Sequence, residues 1–200
     1  MGGGFASKNT LKGSYLSGPD LAPSFSDYAD SITNALLNAG FSTEDLPLLI
    51  LETGRALIDD SGLLLGTVLA NKRLSDGRRS MIMDFGVNTL FTSFWYNHIV
   101  SPAQECSLYT EDTVMYGPLC MNIDVIRESI NLPPLNKGDH VVVHRVGAYN
   151  MTQWMQFITY RPRVVMIDSK GQSHIIRETE TKEYVSEPER TPDYLNDFEL

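Results

Sequence analysis

The sequence has 200 residues, of which 42% are hydrophobic and 20% are charged. This composition is typical of a globular chain with enough apolar mass for a core, and the length allows one or two domains. Sixteen basic residues against 25 acidic ones give a net charge of −9, which disfavours sequence-independent binding of nucleic acid because such binding needs surplus cations. Residues 178–200 hold eight acidic and two basic residues, so most of the excess negative charge lies at this end.

The sequence indicates a reduced, cytoplasmic chain. No apolar run is long enough to cross a bilayer, and the Met-Gly-Gly-Gly start is not a secretory signal, so no membrane partner is expected. Cys106 and Cys120 form neither a disulfide framework nor a Cys-x-x-Cys motif. His140 and His144 lie four residues apart with no third ligand nearby, so no metal site is predicted.

Residues 1–62 have the pattern of part of an α/β unit. After a loop rich in Gly, Ser, Pro and Asn, Ser24 or Ser26 can cap a helix whose apolar residues recur at helical spacing until Gly40. The apolar run 48–51 then predicts a strand buried on both faces, and a polar loop follows it. Because one strand and one helix cannot close a parallel sheet, this α/β part is predicted to be cut short.

Residues 63–184 are predicted to form an antiparallel β domain. Apolar runs alternate with turn signals such as Ser-Lys-Gly-Gln at 169–172, which is typical of a hairpin. Residues 185–200 carry two prolines among their acidic residues and are predicted to be a partly disordered tail. Strands are expected at 63–69, 79–85, 140–146, 163–168 and 173–177.

Three consecutive glycines open the chain. Gly2, Gly3 and Gly4 can take positive φ and direct several amide groups at one anion, for which a phosphate is the obvious candidate. The same run is also typical of a flexible linker. The buried strand and polar loop that follow further along the chain favour the anion site.

The polar loop after the predicted strand carries a second candidate. Glu52 and Arg55 lie where α/β folds expose catalytic groups, and Gly54 between them permits close backbone approach. A carboxylate here could hold a protonated heterocyclic nitrogen, and an arginine could bind phosphate or carboxylate with two parallel hydrogen bonds. The alternative is a structural Glu–Arg pair.

Two further residues lie in predicted loops. Cys120 follows a Gly-Pro turn, so its thiol could act as a nucleophile or an acid, although a lone cysteine is more often a small buried hydrophobic residue. Tyr149 ends a predicted strand and could donate its hydroxyl to a phosphate; the alternative is a packed aromatic ring.

Taken in order, these segments resemble the ornithine/diaminopimelate/arginine decarboxylase family, whose members use pyridoxal 5′-phosphate. The resemblance runs from Gly2 to about Tyr184. Its motifs are Gly-Gly-Gly-Phe at 2–5, Glu-Thr-Gly-Arg at 52–55 (Thr53 stands where the family has proline), Asp-Phe-Gly at 84–86 with Phe-Trp-Tyr-Asn-His at 94–98, Gly-Pro-Leu-Cys at 117–120 with Asp124, Gly-Ala-Tyr at 147–149, and Arg-Pro at 161–162.

The resemblance implies a (β/α)₈ barrel followed by a β domain, in a homodimer whose sites are shared across the interface. Glu52 would keep the pyridine nitrogen protonated, so that the ring accepts the electrons left when CO₂ departs. Cys120 would reach the partner subunit's site and return a proton to Cα. The phosphate would be held by Gly2, Gly3, Gly4, Gly54, Arg55 and Tyr149.

The same resemblance implies a small amino-acid substrate contacted by Tyr96, Asn97, Met121 and Asp124. Family members that act on diamino acids hold the distal ammonium with acids at the positions of Asn97 and Met121, and both charges are missing here. A desolvated ammonium needs a compensating anion. The arginine that diaminopimelate decarboxylases place in the stretch at Thr92 is also not evident. We therefore expect a variant decarboxylase for a different or modified amino acid, and not for plain ornithine.

The family's Schiff-base lysine has no counterpart in this sequence, since none of its six lysines lies in the matching context. A barrel alone needs roughly 250 residues. The chain is thus expected to be the C-terminal portion of a decarboxylase, inactive until an N-terminal barrel segment or subunit completes it. Two alternatives remain: a non-catalytic homologue that acts as a dimerising or regulatory binding protein, and a free-standing β domain that binds a small ligand.

Overall fold

The structure, a computed structural model, describes residues 1–16, 21–42 and 44–196. It divides into two units, Met1–Trp154 and Met155–Leu200, which are described separately. The domain limits predicted at residues 62 and 184 stay predictions, and the end of the predicted acidic tail, 197–200, lies outside the described residues. None of the helices in the described part is both long enough and apolar enough to span a bilayer.

The first helix, α1 (Phe25–Asn38), begins where its sequence predicts. Ser24 Oγ accepts a hydrogen bond from the amide of Asp27 at 3.2 Å, and Asp27 Oδ2 accepts one from the amide of Ser24 at 2.8 Å. This reciprocal capping box satisfies two amides at the start of the helix. Gly40, with φ of +79°, ends the helical segment, so the predicted helix is confirmed.

The apolar run 48–51 is not a strand of any sheet in the described residues, and the prediction of a strand buried on both faces is wrong for this chain. Its side chains are between 42% and 87% exposed. The run nevertheless pairs with the first residue: the Met1 amino group donates to Ile50 O at 2.5 Å, and the Glu52 amide donates to Met1 O at 2.8 Å. This is the hydrogen-bond pattern of a parallel bridge, but one residue provides too little neighbouring chain to bury the run.

The strands of the first unit are β1 (Thr10–Leu11), β2 (Leu63–Arg73), β3 (Arg79–Met83), β4 (Tyr96–Asn97), β5 (Val100–Pro102), β6 (Glu111–Tyr116), β7 (Val125–Leu132) and β8 (His140–His144). Six of them form a sheet in the order β5-β8-β2-β3-β6-β7, which is the body of the unit. Its pairs are antiparallel except β3 with β6, which run parallel with Arg79 opposite Thr113, a departure from the all-antiparallel prediction. The strands β1 and β4 form a separate antiparallel pair.

One contiguous apolar core covers this sheet. Its residues alternate along the strands, as the period of two requires: Met81 and Met83 on β3, and Val141 and Val143 on β8, are at most 1% exposed. The remaining core residues are Val68, Phe85, Leu90, Val100, Met115, Ile126, Leu132, Leu135 and Val146. The core therefore joins strands that are up to 80 residues apart in the chain.

The second unit contains the predicted hairpin. Strands β9 (Val164–Ile167) and β10 (Ser173–Arg177) pair antiparallel, which confirms the turn signal between them. Two short helices follow, α3 (Lys182–Ser186) and α4 (Asp193–Asn196). Glu180, 7% exposed, accepts from the amide of Arg161 at 3.0 Å and pairs with its guanidinium.

His98 is the buried histidine that follows β4. The Thr92 hydroxyl lies 2.7 Å from its Nε2, and its Nδ1 lies 3.3 Å from the carbonyl oxygen of His144. Since a carbonyl only accepts, Nδ1–H donates to it in the neutral ring. Burial, together with the positive charges of Arg127 and Arg55, lowers the pKa of His98 to about 4 against the opposing carbonyl contact.

This depressed pKa predicts a loss of stability in acid. Between the unfolded pKa near 6.5 and the folded pKa near 4, the unfolded state binds the extra proton, so the free energy of unfolding falls as the pH falls. We expect His98 to contribute a loss of about 2 kcal/mol between pH 7 and pH 5. Urea unfolding of His98→Gln should show a correspondingly flatter pH dependence, whereas His140→Gln, at an exposed position, should keep the slope. Equal slopes in the two variants would contradict the assignment.

Candidate functional site

The N-terminal glycine run lies against Glu52. A methyl group placed on Gly2 would lie 2.8 Å from Glu52 Oε2 and 3.1 Å from Glu52 Cβ, so glycine permits this close approach without a shift of the Glu52 side chain. The chain just after the run is fixed by α1. Phe5 is 7% exposed and packs on Tyr28 with ring centroids 4.6 Å apart, and the Ala6 amide donates to Tyr28 Oη at 3.0 Å. The predicted anion loop and the predicted carboxylate are therefore neighbours.

Gly54 joins this group to Tyr149. It precedes α2 (Arg55–Ile58) with φ of +55° and ψ of −121°, a conformation that L side chains rarely adopt. A methyl group on Gly54 would lie 3.5 Å from Tyr149 Oη. Tyr149 also has a positive φ, +68°, which is strained for a tyrosine. Two residues separated by about 95 positions thus meet at one point.

Arg55 lies among aromatic rings. Its guanidinium carbon is 4.3 Å from the centroid of Tyr96, 5.2 Å from that of Tyr149 and 5.8 Å from that of Trp95. These are cation–π distances. No carboxylate of the described residues lies within 4 Å of the guanidinium, so the structural Glu–Arg pair considered from the sequence is not formed.

Several strong donors at this point have no partner within the described part of the chain. The amides of Gly2, Gly3 and Gly4, the Arg55 guanidinium and the Tyr149 hydroxyl make no hydrogen bond to another described residue. Amides, a guanidinium and a phenol together form the donor set that phosphate oxygens prefer. Glu52, the acceptor beside them, suits a protonated nitrogen. The arrangement can bind a ligand that carries a phosphate at one end and a basic ring nitrogen at the other.

Asp124 is a buried carboxylate that binds backbone amides. It is only 2% exposed, and its two carboxylate oxygens accept from the amides of Val87 at 2.7 Å and Leu119 at 2.8 Å. A methyl group on Gly86 would lie 2.5 Å from Oδ1, and one on Gly117 would overlap Oδ2. Burial raises the pKa of Asp124, against the lowering effect of the two amide bonds. This carboxylate fixes the loop that carries Cys120, and the predicted substrate contact of Asp124 stays a prediction.

The remaining predicted residues are Cys120, Met121, Asn97 and Tyr96. Cys120 is exposed and Met121 partly exposed, and no hydrogen bond within the described residues connects either to Glu52, Arg55 or Tyr149. Asn97 is half-buried on β4, where it lies opposite Thr10. Tyr96, its neighbour, has the ring closest to Arg55, and burial raises the pKa of its hydroxyl. The roles predicted for Cys120, Met121 and Asn97 stay predictions.

Two residues of the site were not predicted from the sequence. Trp95 contacts both Arg55 and the ring of Tyr149. Asn150, 7% exposed, accepts from the Thr92 amide at 3.1 Å and donates to Val146 O at 3.0 Å, and so holds the strained residue before it. The only signal for Trp95 was its place inside an aromatic motif, and nothing in the sequence indicated Asn150.

Residues 31–147 match a family profile described as the C-terminal sheet domain of pyridoxal-dependent decarboxylases. The matched domain therefore places this chain in the pyridoxal-dependent decarboxylase class. The chain belongs to the ornithine/diaminopimelate/arginine decarboxylase family.

Curated relatives of this chain include diaminopimelate decarboxylases. That of Methanocaldococcus jannaschii is 34% identical over 165 residues, which cover 80% of this chain and 36% of the relative. That of Helicobacter pylori is 29% identical over 156 residues, which cover 76% of this chain and again 36% of the relative. The chain thus spans little more than a third of the length of these relatives.

Solved structures agree on the fold. The crystal structure of the diaminopimelate decarboxylase of M. jannaschii superposes with a TM-score of 0.78 at 29% identity, over 86% of this chain and 40% of that one. The H. pylori enzyme complexed with L-lysine superposes with a TM-score of 0.71 at 27% identity, over 82% of this chain and 39% of that one. The predicted fold class, the C-terminal part of a barrel followed by a β domain, is confirmed.

Pyridoxal 5′-phosphate is the cofactor of this family, and the residues present fit it. Free amides, the Arg55 fork and the Tyr149 hydroxyl suit the phosphate, and Gly54 leaves the space that a side chain would fill beside Tyr149. The Glu52 carboxylate is opposite in charge to a protonated pyridine nitrogen. The sequence prediction of this cofactor is therefore confirmed.

Proposed function

We propose that this chain supplies the C-terminal part of a pyridoxal-phosphate-dependent α-amino-acid decarboxylase. The observation that carries the proposal is the meeting of the glycine run, Glu52, Gly54, Arg55 and Tyr149 at one place, although they come from three distant segments. A binding protein without catalytic function has no need of a carboxylate beside an anion loop. The relatives named above are enzymes, which also favours catalysis over the non-catalytic alternative.

Each of these residues has a task in that reaction. Arg55, Tyr149 and the amides of residues 2–4 bind and orient the phosphate, and Glu52 holds a proton on the ring nitrogen. Bound pyridoxal phosphate supplies an electron sink for the bond to the departing carboxyl group. A carboxylate at the ring nitrogen supports this sink because it keeps the nitrogen cationic.

The proton that replaces CO₂ at Cα is assigned to Cys120. Its loop is held by Asp124 and its thiol is exposed, as a group that serves another subunit's site has to be. This assignment requires a homodimer or an equivalent assembly with the N-terminal barrel segment. The Cys120 thiol would act as a general acid that gives its proton to Cα.

Diaminopimelate is the proposed substrate, on the strength of the named relatives. Its distal carbon carries an ammonium and a carboxylate together, so the end that must be recognised has no net charge. The amide of Asn97 offers both a donor and an acceptor to such a group, whereas the distal ammonium of ornithine alone needs an anion that neither Asn97 nor Met121 supplies. The competing prediction, a different or modified amino acid, is decided by the same experiment.

The test is CO₂ release by the completed enzyme, formed by joining this chain to a lysine-bearing barrel segment from a relative. We expect turnover of meso-diaminopimelate at least 100-fold above that of ornithine, because the distal ammonium of ornithine would be left without a compensating anion. The control is the same assembly with Glu52→Gln, which keeps the shape but removes the charge. Ornithine turnover equal to that of diaminopimelate would contradict the substrate assignment. Binding of the cofactor without turnover of any amino acid would support the non-catalytic alternative.

A further inference from the structure

Trp95 links two residues of the anion site that do not touch through hydrogen bonds. Its ring lies 5.8 Å from the Arg55 guanidinium carbon and meets the Tyr149 ring at 6.3 Å, with the two planes at 84°. The second geometry is an edge-to-face contact, and the first is a cation–π contact. One side chain therefore touches both the cation and the phenol.

The ring of Trp95 is itself held in place. It follows a 3₁₀ turn, Phe91–Phe94, and meets the Phe91 ring at 5.4 Å and 87°. Its amide donates to Thr92 O at 3.0 Å, and its carbonyl oxygen accepts from the Lys12 amide at 2.8 Å. The backbone of Trp95 is held by two hydrogen bonds and its ring by the contact with Phe91, so Trp95 can support the side chain of Arg55.

Arg55 needs such a support. Its side chain has several rotatable bonds and, within the described residues, no carboxylate holds its fork. Free rotation of a long side chain opposes binding, because the rotamers are lost when the ligand arrives. Aromatic faces restrict the guanidinium but leave its N–H donors unused, whereas a carboxylate would occupy them.

We propose that Trp95 is a positioning residue of the phosphate site, which holds Arg55 oriented toward the phosphate of the ligand. This rests on the proposed function, since it takes the phosphate-bearing cofactor as the ligand. The effect of Trp95 reaches the ligand through Arg55.

The test measures affinity, not turnover. Pyridoxine 5′-phosphate is used as the probe because it lacks the aldehyde and binds without reacting with a lysine, and equilibrium dialysis against the completed enzyme free of cofactor gives its dissociation constant. We expect Trp95→Leu and Trp95→Met each to weaken binding about 5-fold, and Trp95→Phe, which keeps a ring, to stay within 2-fold. Trp154→Phe is the matched control, since Trp154 makes no ring contact with Arg55 in the described residues, and should leave affinity unchanged.

Coupling separates positioning from a general loss of stability. In an Arg55→Ala background, Trp95→Leu should cause no further loss of affinity, because its route to the phosphate is gone. Unphosphorylated pyridoxine should bind the parent and Trp95→Leu equally. An undiminished 5-fold effect in the Arg55→Ala background, or equal weakening for pyridoxine, would overturn the positioning role.

Failure of the inference and failure of the proposed function give different results. If the parent protein binds pyridoxine phosphate and both Trp95→Leu and Trp95→Met bind it equally well, the positioning role is wrong and the phosphate site stands. If the parent protein binds no phosphate-bearing probe at all, the proposed phosphate site is wrong and the role of Trp95 is wrong with it.

Discussion

Replacing Asp124 by asparagine is expected to lower the free energy of unfolding by about 4 kcal/mol. Both carboxylate oxygens accept backbone amides, from Val87 and Leu119, in a buried position. An asparagine can accept only one of these bonds, and its NH₂ group would face the other amide, donor against donor. The backbone at Gly86 and Gly117 lies close to the same carboxylate, so the side chain at position 124 has no room for another rotamer. Urea unfolding of the two proteins measures the difference.

Asp76→Asn is the matched control for this prediction. Asp76 also accepts a backbone amide, that of Arg78 at 3.0 Å, but its side chain is 49% exposed, so water can replace the lost bond. Its substitution should change the free energy of unfolding by less than about 1 kcal/mol. Similar losses for Asp76→Asn and Asp124→Asn would contradict the prediction, because burial of the Asp124 carboxylate would then not be the cause of the lost stability.

Arg55→Ala is expected to weaken binding of pyridoxal 5′-phosphate to the completed enzyme about 100-fold. Within the described residues no carboxylate holds the Arg55 guanidinium, so it can give two charge-assisted hydrogen bonds to the phosphate, which are worth about 1.5 kcal/mol or more each. Arg55→Lys should lose about 10-fold, because it keeps the charge but not the planar fork or its stacking on Tyr96. Titration of the cofactor absorbance measures both constants.

The control for Arg55 is Arg78→Ala, at an exposed arginine that pairs with Asp76 and lies outside the site. It should leave cofactor affinity unchanged. A loss of affinity for unphosphorylated pyridoxal as large as that for the phosphate would contradict the assignment, because Arg55 would then act on the fold or the ring and not on the phosphate.

Local signals predicted the elements whose cause is local. The capping box of α1 involves Ser24 and Asp27, three residues apart, and the hairpin between β9 and β10 depends on a four-residue turn. The prediction of a buried strand at 48–51 was wrong because burial of a strand depends on its neighbours. Within the described residues this run has only the backbone of Met1 beside it. The parallel pairing of β3 with β6 could not be predicted from the sequence either. The alternation of apolar and polar residues determines which face of a strand is buried, but not the direction of the strand that pairs with it.

The candidate site also contains residues that the sequence predicts and residues that only the fold shows. Gly54 and Arg55 are adjacent to Glu52 in the chain, so the polar loop was visible as a unit. The contact of Trp95 with Arg55 joins residues 40 positions apart and depends on how β4 packs, which no local pattern records. Asp124 was found through its motif, but its role follows from burial and two amide bonds, which only the folded chain shows.

A crystal structure of the completed enzyme with pyridoxal 5′-phosphate is the most direct test of the whole account. We expect the phosphate oxygens within hydrogen-bond distance of the amides at residues 2–4, the Arg55 fork and Tyr149 Oη, with the Glu52 carboxylate at the ring nitrogen. A cofactor bound with its phosphate away from Arg55 and Tyr149, or with its ring nitrogen away from Glu52, would contradict it.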